Sequence, residues 1–379
     1  MIALKTAERD ALVDSAARFI ADRYPAASHL ERLQSESQFS LERWREIADL
    51  GWLGTSIAEA NGGLGLKYSV LSDLVEALGT GNLLEPFVSQ VALAGYILNR
   101  ASGGKFRDEV LQQWLAGAVI VALADQESRE GNFFDTDIAL RVESRDSRYL
   151  LTGKKCVVID GSSADYFLVT GVGPGSDETK NLFLIPAKLE RLSISSNRSF
   201  DGRDLADLEF DHVEIPHTSG LEFEFGSSRV IDDAKSLFAL LIASESLGIM
   251  KAILAMTYRY LNEREQFGSK IGSFQALQHR MAELLLAATR AESLIAIARQ
   301  QTDECDLTVA RDSIAAASFR GTTVGAFIGQ DAIQLHGAIG MTDEFILGHY
   351  LKRLTANGFL AGNADEQLSR FMRLRGLEA

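Results

Sequence analysis

The hydrophobic period of this 379-residue chain changes twice, and those two changes limit the folds open to it. Residues 1 to about 117 carry helical patterning. Thr6 to Tyr24 sets Leu12, Val13, Ala16, Phe19 and Ile20 on one helical stripe, and Leu41 to Leu50 sets Trp44 and Ile47 inward. Gly51 stands where that second helix should stop, and further helices are expected near 69–79, 84–101 and 105–117. Between them Asn61-Gly62-Gly63-Leu64-Gly65 reads as an interhelix turn. From Ala118 the pattern becomes that of short strands, near 119–123, 137–143, 149–159, 165–171, 181–186 and 206–215. Turn formers such as Gly131-Asn132, Gly161-Ser162 and Gly173-Pro174-Gly175 separate them. Beyond about residue 228 the helical period returns in three long runs, Val230 to Leu261, Ser273 to Thr302 and Leu307 to His336. Ser273 and Asp306 are placed to cap the second and third, Gly337 to end the third, and shorter helices are expected near 343–357 and 364–375.

Strands set close together without helices between them predict a compact antiparallel barrel or sandwich. Long helices joined by short loops predict a bundle. The expected architecture is therefore α+β, with a helical domain over 1–117, a β domain over 118–227 and a helical bundle over 228–379.

Composition narrows function by exclusion. The net charge of −14 leaves no basic surplus for general binding to nucleic acid or to an anionic membrane. Cys156 and Cys305 are the only cysteines, too few for a disulfide framework, and Cys156 on a strand is expected to be a small buried hydrophobe. No secretory leader pattern is seen, no apolar run is expected to reach the roughly 20 residues of a membrane span, and a soluble cytoplasmic protein is expected. His336 has no second histidine at ligand spacing, so no metal site is expected.

Two polar, glycine-bearing connections stand out. Arg264-Glu-Gln-Phe-Gly-Ser-Lys-Ile-Gly-Ser-Phe-Gln275 joins two long helices and offers a guanidinium and freed backbone N–H groups, a combination suited to a phosphate. Gln334-Leu335-His336-Gly337-Ala338-Ile339-Gly340-Met341-Thr342 follows the third long helix, with Thr342 placed to cap the next. For the first stretch alone, a solvated helix end is the plainer interpretation.

Together, with Asp207 to Pro216 and the order of elements, these stretches closely resemble the acyl-CoA dehydrogenase family, which shows Arg-x-x-Phe-Gly and then Gln-x-x-Gly-Gly-x-Gly. The resemblance implies a helical domain, a β domain and a C-terminal four-helix bundle. It implies FAD and oxidation of an acyl-CoA to a trans-2-enoyl-CoA. A glutamate takes the α-proton, hydride passes from the β-carbon to the flavin, and an electron-transfer flavoprotein receives the electrons. In that family the two loops serve a flavin held mainly by a neighbouring subunit. By match, Arg264, Gln266, Phe267, Phe274 and Gln275 would contact it, joined by Gln334, Leu335, Gly337 and Ala338 mostly through backbone. His336 would lie near the cofactor's phosphates.

The departures matter as much. The family's usual glutamate falls nine residues after an arginine matching Arg353, which here is Gly362. The alternative position, ten residues before Gly248, is Phe238, and the CoA-contacting arginine expected next to it is Ala239. The flavin-ring segment, usually of Thr-Glu-Pro-x-x-Gly-Ser-Asp type, is replaced by Ala124 to Asn132, and a tryptophan near the ring by Cys156. Glu245 is a conceivable substitute base, but a packing role fits a lone carboxylate on an apolar helix better. Asp365 and Glu366 suit the start of the last helix. No catalytic residue is therefore assigned. Gly348 to Leu354 resembles the small subunits of pimeloyl-CoA-type and steroid-side-chain-type enzymes. That resemblance implies an α2β2 assembly with a homologous subunit that binds most of the acyl-CoA. A homo-oligomer using Glu245, or a scaffold without activity, remain the competing expectations.

Overall fold

The structure is a computed structural model and describes residues 2, 4, 6–34, 39–135, 137–173, 180–305 and 307–377. Asp306, and Pro174 and Gly175 of the expected turn, lie outside the described residues. The chain opens with α1 (Thr6–Arg23), α2 (His29–Gln34), α3 (Leu41–Asp49) and α4 (Tyr68–Gly79). Then come α5 (Phe87–Ser89), a π-helical turn (Gln90–Gly95), α6 (Tyr96–Arg100) and α7 (Lys105–Leu115). Ser40 caps α3 by accepting from the Arg43 N–H, and Gly51 beyond its end is left-handed at φ 75°, the geometry its glycine licenses.

The strands are β1 (Val121–Ala124), β2 (Arg141–Arg145), β3 (Arg148–Ile159), β4 (Tyr166–Val172), β5 (Lys180–Pro186), β6 (Leu192–Arg198), β7 (Asp204–Pro216) and β8 (Gly220–Leu221). They form one sheet in the order β6-β7-β3-β2-β4-β5-β8, with β1 on β4. The pairing is antiparallel except that β1 runs parallel to β4 and β2 touches β4 in parallel at Arg141 and Val172, a departure from the all-antiparallel expectation. It arises because the β2–β3 hairpin intervenes before the chain returns beside β1. β3 shifts register against β7 twice, at Leu151/Gly153 and at Lys155/Val158, and such bulges bend a strand. Alternate inward residues, among them Leu151, Phe167, Phe183, Phe210, Val213 and Ile215, build the sheet's core.

The second half holds α8 (Ser227–Glu263), a minute hairpin of β9 (Glu265–Gln266) and β10 (Ser269–Lys270), α9 (Gln275–Glu304), α10 (Leu307–His336), α11 (Ile346–Leu360) and α12 (Ala364–Leu374). α8 corrects the count of apolar runs: it is long and apolar enough to cross a membrane, but 89% of its most apolar window is buried inside the protein, as befits a core helix. Two caps differ from expectation. Phe274 precedes α9, while the Ser273 hydroxyl is spent donating to the Lys270 carbonyl at 2.6 Å. Phe345, not Thr342, precedes α11, and Thr342 donates to the Ile339 carbonyl at 3.0 Å. α12 carries a reciprocal cap between Asn363 and Glu366, which occupies Glu366 structurally.

Two compact units emerge, and the helices of the first 117 residues are shared between them. One comprises residues 1–2, 39–67 and 84–238, and so contains the sheet. Within it Gln90 bridges the β1 backbone to the Trp114 indole N–H, and Trp114 lies over Gly95, where a Cβ would stand 2.4 Å from the ring. The other comprises residues 3–38, 68–83 and 239–379. There α4 crosses α8 so closely that a Cβ on Gly248 would meet the Glu76 carbonyl at 1.9 Å and one on Gly79 the Glu245 carbonyl at 2.5 Å. His29 and His349 stack edge to face in this unit with centroids 4.8 Å apart, and burial, then the neighbouring charges, pushes the His29 pKa down to about 3.

Candidate functional site

Arg264 begins where α8 ends, and its N–H makes the last helical bond to the Tyr260 carbonyl at 2.9 Å. The hairpin that follows pairs Glu265 with Lys270 and Gln266 with Ser269, which leaves Phe267 and Gly268 as its two turn residues. Both are left-handed, at φ 54° and 78°, as the tightest hairpin turn requires. Glycine is at home there, but phenylalanine is strained by roughly 1–2 kcal/mol. The ring nonetheless stands 94% exposed, with only Phe274 near it at 6.3 Å between centroids. Arg264, Gln266 and Gln275 are exposed too, and the Arg264 guanidinium has no hydrogen bond or ion pair among the described residues. This is a polar, aromatic-tipped projection that its own chain does not cover. Replacing Phe267 by asparagine, a residue suited to that turn, is expected to raise the stability of the isolated chain by up to about 1 kcal/mol. Thermal melting checks this, and a loss of stability would mean that the ring packs on its own subunit.

The second stretch ends α10. Gln334 and Ala338 are exposed, and Gly337 is left-handed at φ 65° and exposed, so backbone is accessible there. Leu335 is buried in the core, which leaves it only a main-chain contribution. His336 is buried rather than presented to solvent. Its Nδ1 lies 2.8 Å from the Ala332 carbonyl, which fixes the proton on that nitrogen and leaves Nε2 buried without a hydrogen-bond partner among the described residues. Burial pushes its pKa down, so the ring is neutral. Tyr260 was not anticipated. Its ring stacks on His336 at 4.5 Å and its hydroxyl donates to the His336 carbonyl at 3.1 Å, which brings the ends of α8 and α10 together. The sequence signal was available, since Tyr260 lies one helical turn before Arg264 on the same face.

The positions at which a base was sought hold none. Phe238 is buried, its ring 5.7 Å from that of Phe133. Gly362 is buried at the end of α11 with φ 85°. Glu245 is 5% exposed, and both its oxygens are engaged, with Arg353 at 3.4 Å and Asn357 at 2.8 Å. With both oxygens spent on its own chain, Glu245 has the packing role expected of it, which disfavours it as a substitute base.

The segment after β1 is likewise closed on itself. Glu127 accepts from the Ala139 and Leu140 N–H groups at 2.6 and 3.0 Å and pairs with Lys155 at 2.5 Å. Lys155 also donates to the Asp125 carbonyl and the Thr170 hydroxyl, and it is fully buried. Asp125 pairs with Lys235 and lies 3.6 Å from Lys180. Burial alone would raise the Asp125 pKa, but those ammonium groups hold it at about 2. Lys235 in turn sits 5.2 Å above the Phe133 ring. Cys156 is half-buried rather than buried, and its backbone N–H is spent on the Gln126 carbonyl at 2.8 Å. Among the described residues no three His, Cys, Asp or Glu side chains gather as metal ligands would.

Comparison with known proteins agrees with this fold. The acyl-CoA dehydrogenase N-terminal domain profile matches residues 6–118 and the C-terminal domain profile residues 230–373. The chain therefore belongs to the acyl-CoA dehydrogenase family. It is 26% identical over 370 residues to mitochondrial isovaleryl-CoA dehydrogenase of Pongo abelii, covering 94% of this chain and 86% of that protein. A chain of the ChsE4-ChsE5 complex from Mycobacterium tuberculosis superposes with a TM-score of 0.88 at 23% identity, over 99% of both chains. A chain of the Tcur3481-Tcur3483 steroid ACAD gives 0.85 at 24% identity, over 97% of this chain and 98% of that one. A glutaryl-CoA dehydrogenase from Mycobacterium smegmatis in complex with FADH2 gives 0.89 at 19%, over 99% and 96%. At these identities the structures share the fold.

Proposed function

We propose that this chain is the non-catalytic subunit of a heteromeric, FAD-dependent acyl-CoA dehydrogenase that introduces a trans-2 double bond. It pairs, as α2β2, with a homologous subunit that carries the glutamate and binds most of the acyl-CoA. FAD, when bound, supplies the hydride acceptor. This chain's part is to hold the pyrophosphate and adenosine end of the partner's cofactor with Arg264, Gln266, Phe267, Phe274 and Gln275 and with backbone at Gln334, Leu335, Gly337 and Ala338. The observation that carries the reading is the strained, exposed Phe267 beside the Arg264 guanidinium, which has no hydrogen bond or ion pair among the described residues. A free fork-shaped cation next to open backbone fits a phosphoryl group, and its exposure fits a group brought by another chain.

The absence of a base at Phe238 and Gly362, and the engagement of Glu245 by Arg353 and Asn357, support assigning the proton transfer to the partner. The relatives lend support in kind: one structure is a two-protein complex, one is called a steroid ACAD, and one holds FADH2. A bulky acyl group, such as a steroid side chain, is the substrate class this reading favours, with an electron-transfer flavoprotein as acceptor and a cytoplasmic setting.

Purified alone, the chain is expected to hold little FAD and to oxidise no acyl-CoA. Co-expressed with a homologous subunit that has a glutamate at either family position, it should give a yellow complex with one FAD for each pair of unlike chains. Flavin absorbance against protein concentration, with a dye-linked dehydrogenase assay, measures both. An active yellow homo-oligomer would overturn the proposal. A colourless co-complex would replace it with a scaffold role.

A further inference from the structure

The two loops assigned to the cofactor lie about 70 residues apart in sequence, yet their use on one pyrophosphate demands a fixed spacing. Nothing in the hairpin sets that spacing. Among the described residues the bonds of β9 and β10 stay within the connection 264–273, through their own pairing, the Ile271 N–H to the Arg264 carbonyl at 2.9 Å and the Ser273 hydroxyl to the Lys270 carbonyl at 2.6 Å. The tie is one turn earlier. The Tyr260 carbonyl receives the Arg264 N–H, while the Tyr260 side chain reaches the end of α10.

At that end α10 passes into a 3-10 turn over Gly337–Met341, and the Tyr260 hydroxyl donates to the His336 carbonyl at the junction at 3.1 Å. The stacked rings, 27° from parallel, restrict rotation about the contact. His336 is itself pinned through Nδ1 to Ala332 and flanked by Phe345 at 5.4 Å. Its neighbour Gly337 then turns the chain left-handed into the exposed backbone of Gly337 and Ala338.

From this geometry we infer that Tyr260 is a positioning residue that locks the Arg264 hairpin to the Gln334–Ala338 turn, so that both reach the cofactor's phosphates together. The inference rests on the reading of those loops as flavin contacts. Tyr260 touches no phosphate; it acts through the two loops.

The test uses the assembled complex, with FAD as the probe. Tyr260→Phe keeps the stacked ring and loses only the hydroxyl. It is expected to weaken FAD binding about five- to tenfold, on the scale of one lost hydrogen bond that fixes geometry. In a double-mutant cycle with Arg264→Ala, the same change should cost less than about twofold, because the loop to be positioned has lost its contact. A purely structural hydroxyl would instead give equal losses in both backgrounds, and that result would overturn the inference. So would unchanged FAD affinity in Tyr260→Phe while Arg264→Ala loses the cofactor; the loop reading would then survive alone. Full retention of FAD by Arg264→Ala would overturn the loop reading and the tie with it.

Discussion

Arg264→Ala should release FAD from the assembled complex while leaving both subunits folded. The guanidinium is exposed and has no hydrogen bond or ion pair among the described residues, so its loss removes nothing the free chain uses. A charge-assisted phosphate contact is worth about 1.5–3 kcal/mol, which predicts FAD binding weaker by roughly ten- to a hundredfold. Arg264→Lys should recover part of this, since an ammonium keeps the charge but lacks the planar fork. Flavin fluorescence on titration with FAD measures both variants. Unchanged affinity in the alanine variant would remove the role given to this residue, and unfolding of the subunit would contradict its isolation in the structure.

Asp125→Ala should destabilise the sheet-containing unit by about 3–5 kcal/mol, the usual result of removing one partner from a buried charge set. It would leave Lys235, Lys180 and Lys155 with Glu127, which pairs with Lys155, and Asp232, which acts on Lys180, among the groups described around them. Three ammonium groups packed at that depth cannot all stay charged without it. Urea unfolding of the purified chain reads the change in midpoint. The acid dependence has a definite sign. The folded pKa of about 2 lies below the ordinary 3.8, so Asp125's contribution is complete above pH 3.8 and is lost as pH falls through about 2. An Asp125→Ala variant as stable as the parent would show that the lysines find other partners.

Much of the fold was legible because period follows burial. α8 and α10 bury long apolar faces, and their spans in sequence and structure differ by three residues or fewer. β6 escaped for the opposite reason. In Leu192-Ser-Ile-Ser-Ser-Asn-Arg198 every residue but the first is exposed, so no apolar face marks the strand, and only pairing with β7 creates it. The parallel β1–β4 contact was equally hidden, since pairing direction leaves no trace in a short apolar run.

The site divides in the same way. Glycines and an arginine in a loop advertise themselves, so the hairpin was visible. What closes the alternatives was not: Glu245 meets its partners 108 and 112 residues away, and the charges around Asp125 come from segments as distant as Lys235. Spacing along a chain cannot report such pairs. Nor could it show that Tyr260, an ordinary aromatic on a helix, bonds to His336 across 76 residues and so joins the ends of two helices.

Gly362 carries one more consequence. Its backbone is left-handed, so a glutamate arriving there by a single substitution would bring a β-carbon into a conformation costing about 1–2 kcal/mol relative to glycine. It would also have to find room where the chain is buried. Under the proposed division of labour, regaining a base here would thus be uphill at its first step, and a lineage that dropped the proposed companion chain would lose the reaction rather than recover it.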